Sequence, residues 1–234
     1  MPPDTFAQRA QLTELMDEPA SYAEFRDCLR DLMRVNRTVL AYRPTIEWLN
    51  RFAPGFAPLH IVDVGSGAGD MLRRVEAWAR RSRLPVRLTG IDRNPYAAQA
   101  AREFSGPESR IEWVTCDAFD FKPATNIDIV ISSLFTHHLG DAEIVRFLNW
   151  MEQTAARGWF INDLARGRGS YRLFKLLARL MRWHPFVQHD GPVSIRRSFT
   201  PADWRRYAGA AGLRLEAIKI FSAWPGRLCV SRVK

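Results

Sequence analysis

The stretch Asp63-Val64-Gly65-Ser66-Gly67-Ala68-Gly69 places glycine at every second position, with an acid two residues before the first. Glycines allow a tight turn and let a ligand approach main-chain N–H groups, and a helix starting behind them favours negative charge. The spacing is G-x-G-x-G, unlike the G-x-G-x-x-G of dinucleotide sites. Two more acids stand at strand ends: Asp92, a type of residue suited to ribose hydroxyls, and Asp117. His137 and His138 follow an apolar strand. An imidazole near neutral pKa could take a proton from a phenol or hydroxyl as oxygen attacks an electrophile.

Alternating elements position these residues. Strands are expected at 59–64, 86–91, 111–115, 127–132 and 158–162, and helices starting near Met71, Pro95 and Asp141. Strands separated by helices imply right-handed crossovers and a parallel sheet covered on both faces. Residues 213–221 and 227–233 could form a final antiparallel hairpin across Trp224-Pro225-Gly226, preceded by a helix at Thr200-Pro201 with Thr as its cap. Two helices, from about Tyr22 and from Pro44 to about 52, form an N-terminal cap over 1–52, and the remaining domain covers 53–234. An insert at about 165–198 reads as a lid, with a basic amphipathic helix at 171–183 and a loop at 184–192, where His189-Asp190-Gly191-Pro192 reads as a turn.

Over roughly residues 59–163 the sequence resembles the class I S-adenosylmethionine-dependent methyltransferases. The glycine loop, Asp92, Asp117 and a fourth strand ending in Ser132-Ser133 occur in that family's order. The resemblance implies a Rossmann-like α/β fold with a seven-stranded, mostly parallel sheet whose last strand is antiparallel. It implies S-adenosylmethionine contacts at Asp63, Gly65, Ser66, Gly67, Gly69, Asp92, Arg93, Asp117, Ala118 and Ser133: loop amides for the methionine carboxylate, Asp92 for ribose, and Asp117 with the Ala118 amide for adenine. The family builds its acceptor pocket from N-terminal helices and the insert after strand five.

Bulky residues in both segments suggest a small hydrophobic, aromatic acceptor, with Phe25, Tyr42, Phe135, Asp163, Tyr171 and His189 as candidate contacts and His137 or His138 as base. Oxygen is the favoured acceptor atom, and carbon remains open. The sequence looks like the bacterial branch that tailors quinones, phenols and polyketides. Methylation of RNA or protein is a second reading, and a non-catalytic partner protein with the same fold a third.

The 234 residues carry 34 basic and 25 acidic side chains. Only four of the basic residues are lysines, so the +9 charge fits a general preference for arginine as well as a nucleic-acid surface. Residues 166–197 hold eight basic residues and one acid, a stripe that could sit on an anionic membrane. Cys28, Cys116 and Cys229 are far apart, which disfavours disulfides and a zinc site, and no metal is expected. No leader or membrane span is read, and the expected location is the cytoplasm.

Overall fold

The computed structural model of the chain describes residues 6–18 and 20–234, apart from the side chain of Asp17. Residues 1–5 and 19 of the expected cap lie outside the described residues. Helices α1 (Tyr22–Thr38) and α2 (Arg43–Phe52) lead into β1 (Leu59–Val64), α3 (Asp70–Arg81), β2 (Val86–Asp92), α4 (Pro95–Phe104) and β3 (Glu112–Thr115). Then follow β4 (Ile127–Ser133), α5 (Asp141–Thr154), β5 (Ala155–Leu164), α6 (Arg168–Leu180), α7 (Pro185–Arg197), α8 (Pro201–Ala210), β6 (Ile218–Ala223) and β7 (Arg227–Val233).

Local signals account for the boundaries. Ser21 and Glu24 close a reciprocal capping box on α1, as Thr200 and Asp203 do on α8. The seven strands run in the order β3-β2-β1-β4-β5-β7-β6, with β7 antiparallel to both neighbours. Side chains alternate through the sheet. Ile61 packs with Met71, Leu72 and Val75 on one face, while Val62 and Val64 pack with Phe147, Trp159 and Trp204 on the other.

Several expected bounds move. The lid helix starts at Arg168, about a turn early, and the expected loop at 184–192 lies within α7. Gly191 and Pro192 are packing residues there. The Phe174 ring occupies the space a Cβ on Gly191 would need, 2.0 Å away, and Pro192 is buried. A last strand at 213–221 shortens to β6, because Leu215–Ala217 forms a 3-10 turn. Strand β5 begins at Ala155, directly after α5.

Candidate active site

The carboxyl ends of β1, β2 and β4 open onto a cavity of about 1000 Å³, roofed by α1, α6 and α7. The glycine loop forms its floor. Gly69 caps α3 in the left-handed region at φ +73°, and a Cβ there would fall 2.2 Å from the Trp113 ring. Gly69 itself does not line the cavity, in contrast to the expectation: its backside is filled by Trp113 and its role is to turn the chain. Asp63, Gly65, Ser66, Gly67, Asp92, Arg93, Asp117, Ala118 and Ser133 all border the space.

The electrostatics of this floor are uneven. Asp63 is 2% exposed, and its Oδ1 has no hydrogen-bond partner. Burial, with the charges of Asp70 and Asp92 behind it, pushes its carboxyl well above the usual range. Burial also raises Asp92, against the N–H groups of Asn94 and Gly67 donated at 2.9 Å each. Each Asp92 oxygen therefore keeps a lone pair for a further donor. Asp117 caps the turn after β3, its Oδ1 accepting the Phe119 N–H at 2.9 Å.

This donor and acceptor set fits S-adenosylmethionine. An orphaned buried carboxylate oxygen can take an ammonium, and a carboxylate with spare lone pairs can take ribose hydroxyls. The loop amides expected to hold the methionine carboxylate are committed within the protein: Gly65 and Ser66 donate to Ile91 O, Gly67 to Asp92 Oδ2 and Gly69 to Ser66 O.

The opposite wall is built by the turn after β4. Leu134 holds φ +56°, strained for a residue with a Cβ, and its N–H donates to Asn162 O at 3.0 Å. The chain then forms a 3-10 turn, Thr136–His138. Asp163 lies beneath it, fully buried. Its Oδ2 accepts the Thr136 hydroxyl at 2.5 Å and the His137 N–H at 3.1 Å, and its Oδ1 accepts from His137 Nδ1 and the Leu164 N–H at 2.7 Å each. Burial alone would raise this carboxyl, but the His137 imidazole, then the Thr136 and Leu164 hydrogen bonds, hold it below the usual range. Asp163 is thus a carboxylate engaged on both oxygens, and it does not reach the cavity as expected of an acceptor contact.

With Asp163 accepting at Nδ1, the His137 lone pair sits on Nε2, 3.8 Å from Glu14 Oε1. Glu14 Oε2 lies 3.8 Å from His138 Nε2, and the two imidazole centroids are 4.3 Å apart. Burial raises Glu14, against the charges of His138 and Arg197. The three side chains are grouped closely enough to consider a metal ion. Arg197 Nη1, at 3.4 Å, and the Ser194 hydroxyl, at 2.9 Å, meet Glu14 Oε1.

Arg197 and Arg9 also pin this turn. They donate to His137 O at 3.2 and 3.3 Å, and onward to His138 O and Leu139 O. Asp190 of α7 accepts the Leu15 and Met16 N–H groups at 2.8 and 3.0 Å, tying the N-terminal segment across the lid.

Phe25, Tyr42 and Phe135 line the cavity as expected. Tyr42 is already committed to Asp70 through its hydroxyl, at 2.7 Å. Two other expected contacts face elsewhere. Tyr171 packs edge-on against Phe6, and His189 is half exposed with Nδ1 on Asp190 at 2.8 Å. Glu14, Arg197 and Arg227 border or support the site without a sequence motif. Glu14 sits in a stretch of no periodicity, and the arginines are two among thirty.

Residues 61–158 match a family model described as a methyltransferase domain. The match covers less than half of this chain; with the sheet order and the glycine loop it goes with a Rossmann-like fold similar to that of the class I S-adenosylmethionine-dependent methyltransferases. A curated relative, trans-aconitate 2-methyltransferase of Streptomyces coelicolor, is 26% identical over 166 residues, 66% of this chain and 51% of the relative. The chain thus spans about half the length of that relative.

Solved structures share the fold. Human N-acetylserotonin methyltransferase superposes with a TM-score of 0.62 at 17% identity, covering 92% of this chain and 56% of that one. The plantazolicin methyltransferase BpumL does so with 0.63 at 15%, covering 91% and 96%.

Proposed function

We propose that the protein transfers a methyl group to a hydroxyl of a small, largely apolar, aromatic acceptor, with His137 as the base. The observation that carries this reading is one cavity bordered by both the glycine loop and a histidine whose Nδ1 is locked on a buried carboxylate. S-adenosylmethionine supplies a methyl group activated by its sulfonium. Asp63 would hold the methionine ammonium, Asp92 the ribose and Asp117 with Ala118 the adenine edge. Phe25, Leu29, Met33 and Phe174 would exclude water and hold the acceptor ring. His137 Nε2 would take the hydroxyl proton, and Asp163 would stabilise the imidazolium that results.

The test is calorimetric binding of S-adenosylhomocysteine, then labelled methyl transfer to a panel of phenols, quinols and enols. Binding followed by O-methylation that fails in His137→Ala is the expected result. Undiminished turnover in His137→Ala would remove the base from the reading.

The outer face of the lid supports a further element of this reading, contact with an anionic membrane. Leu176, Leu180 and Met181 are 54–69% exposed on or just after α6, beside Arg172, Lys175 and Arg179. Trp224, 75% exposed, projects from the β6–β7 hairpin that meets α6 where Gly226 approaches Ser170. Exposed leucines, flanking cations and an interfacial tryptophan suit the surface of a bilayer. No described helix is long and apolar enough to cross a membrane. The double variant Leu176→Glu/Leu180→Glu should lose roughly tenfold or more of its affinity for phosphatidylglycerol vesicles, since buried apolar area sets interfacial binding. Equal binding by the variant would reject the contact.

A further inference from the structure

Arg227 opens β7 opposite Leu164 of β5 and borders the cavity. It is 2% exposed, and its Nε and Nη1 have no hydrogen-bond partner. Among the described residues no carboxylate forms an ion pair with it.

Arg166 makes the contrast plain. It is similarly buried, yet it donates to the carbonyls of Phe6, Ala7 and Ser198 and meets the Asp203 carboxylate at 3.0 Å. The acid with the strongest pull on Arg227 is Asp163, but both its oxygens are taken by Thr136, His137 and Leu164. A buried guanidinium without a partner is costly unless an anion completes it. Tyr42, Asp70 and Ser170 border the same cavity, and Asp70 Oδ2 accepts from the Tyr42 hydroxyl at 2.7 Å and the Asn36 amide at 3.0 Å.

We propose that Arg227 is a carboxylate receptor inside the cavity. A planar guanidinium meets a carboxylate through two parallel N–H bonds, and withdrawal from water strengthens both. Two molecules in the cavity could bring the carboxylate: the acceptor, as an aromatic acid, or the methionine end of the cofactor. In the first case Arg227 selects acidic acceptors from an otherwise apolar pocket. In the second it fixes the amino-acid tail beside the loop.

The experiment compares wild type with Arg227→Met, which keeps the length and removes the charge. The cofactor arm measures S-adenosylhomocysteine against 5′-methylthioadenosine, which lacks the amino-acid end. The acceptor arm measures 2-naphthoate against 2-naphthamide on protein saturated with S-adenosylhomocysteine.

Loss of a charge-assisted pair should weaken the carboxylate-bearing probe of one arm by roughly ten- to a hundredfold and leave its neutral analogue unchanged. The arm that responds identifies the source. The melting temperature of Arg227→Met without ligand should equal or exceed that of wild type, because a lone buried charge does not stabilise the fold.

Unchanged binding in both arms overturns the proposal, as does a variant that unfolds early, which would make Arg227 a structural residue. The proposal rests on the methyltransferase reading for the contents of the cavity. Failure of wild type to bind S-adenosylhomocysteine would count against that reading, whereas binding without carboxylate discrimination counts against this one alone.

Discussion

With Asp163 ionised and accepting from Nδ1, His137 keeps its basic nitrogen toward Glu14 and the cavity. Asp163→Asn offers an amide in place of one oxygen and can reverse the tautomer. Turnover should then fall by about 10²–10⁴ with little change in KM, the range expected when a general base is lost. That split between turnover and KM is a change a merely looser fold would not produce. Stability carries its own signature. A depressed carboxyl stabilises above its unfolded pKa and loses that contribution as pH falls, so the deficit of Asp163→Asn should narrow below about pH 4. Asp63 has the opposite sign. Its raised pKa costs stability as pH climbs from the unfolded value toward the folded one. Asp63→Asn should therefore melt higher than wild type at neutral pH without cofactor, with the gain gone below about pH 4, and should bind S-adenosylhomocysteine more weakly. A lower melting temperature at pH 7 would show that Asp63 stabilises the empty fold.

Among elements, the loop between β1 and α3 leaves no room for a side chain at Gly65 or Gly69. Gly69→Ala would place a methyl against Trp113 at a positive φ, and overpacking with strain of this kind costs about 1–3 kcal/mol, measurable by urea unfolding. The lid is held by a looser device. Asp190→Ala frees the Leu15 and Met16 amides, so proteolysis near residues 14–16 should accelerate and KM should rise, while the sheet keeps its melting behaviour. Elements with a short-range cause were legible in the sequence. Strand β1, helix α4 with Asn94 and Pro95 at its start, and α8 with its capping box all lie where spacing placed them. Helix α7 was not, because His184-Pro185 and Gly191-Pro192 read as breakers until the Phe174 ring is known to fill the space beside Gly191. The floor of the cavity was likewise readable from one contiguous motif and two strand ends. Glu14 and Arg227 were hidden because tertiary structure alone brings them from residues 14 and 227 to one cavity.

Across the molecule the excess of arginine has a visible use. Arg9, Arg73, Arg102, Arg166 and Arg197 all donate to backbone carbonyls, so part of the positive charge braces turns and strand ends. A surface dedicated to nucleic acid would present those groups outward. Binding to duplex RNA should accordingly be weak and should vanish as salt rises toward physiological strength, in a gel-shift titration. The sheet order has a consequence for the growing chain. Strand β7 separates β5 from β6, so the edge of β5 stays bare while residues 165–226, which hold the lid, α8 and β6, are still being made. The strand that finally covers that edge also delivers Arg227. On the ribosome, sheet closure and site completion therefore coincide: a nascent chain halted before β7 would carry the whole glycine loop, yet hold an open, adhesive edge where the charged end of its cavity belongs.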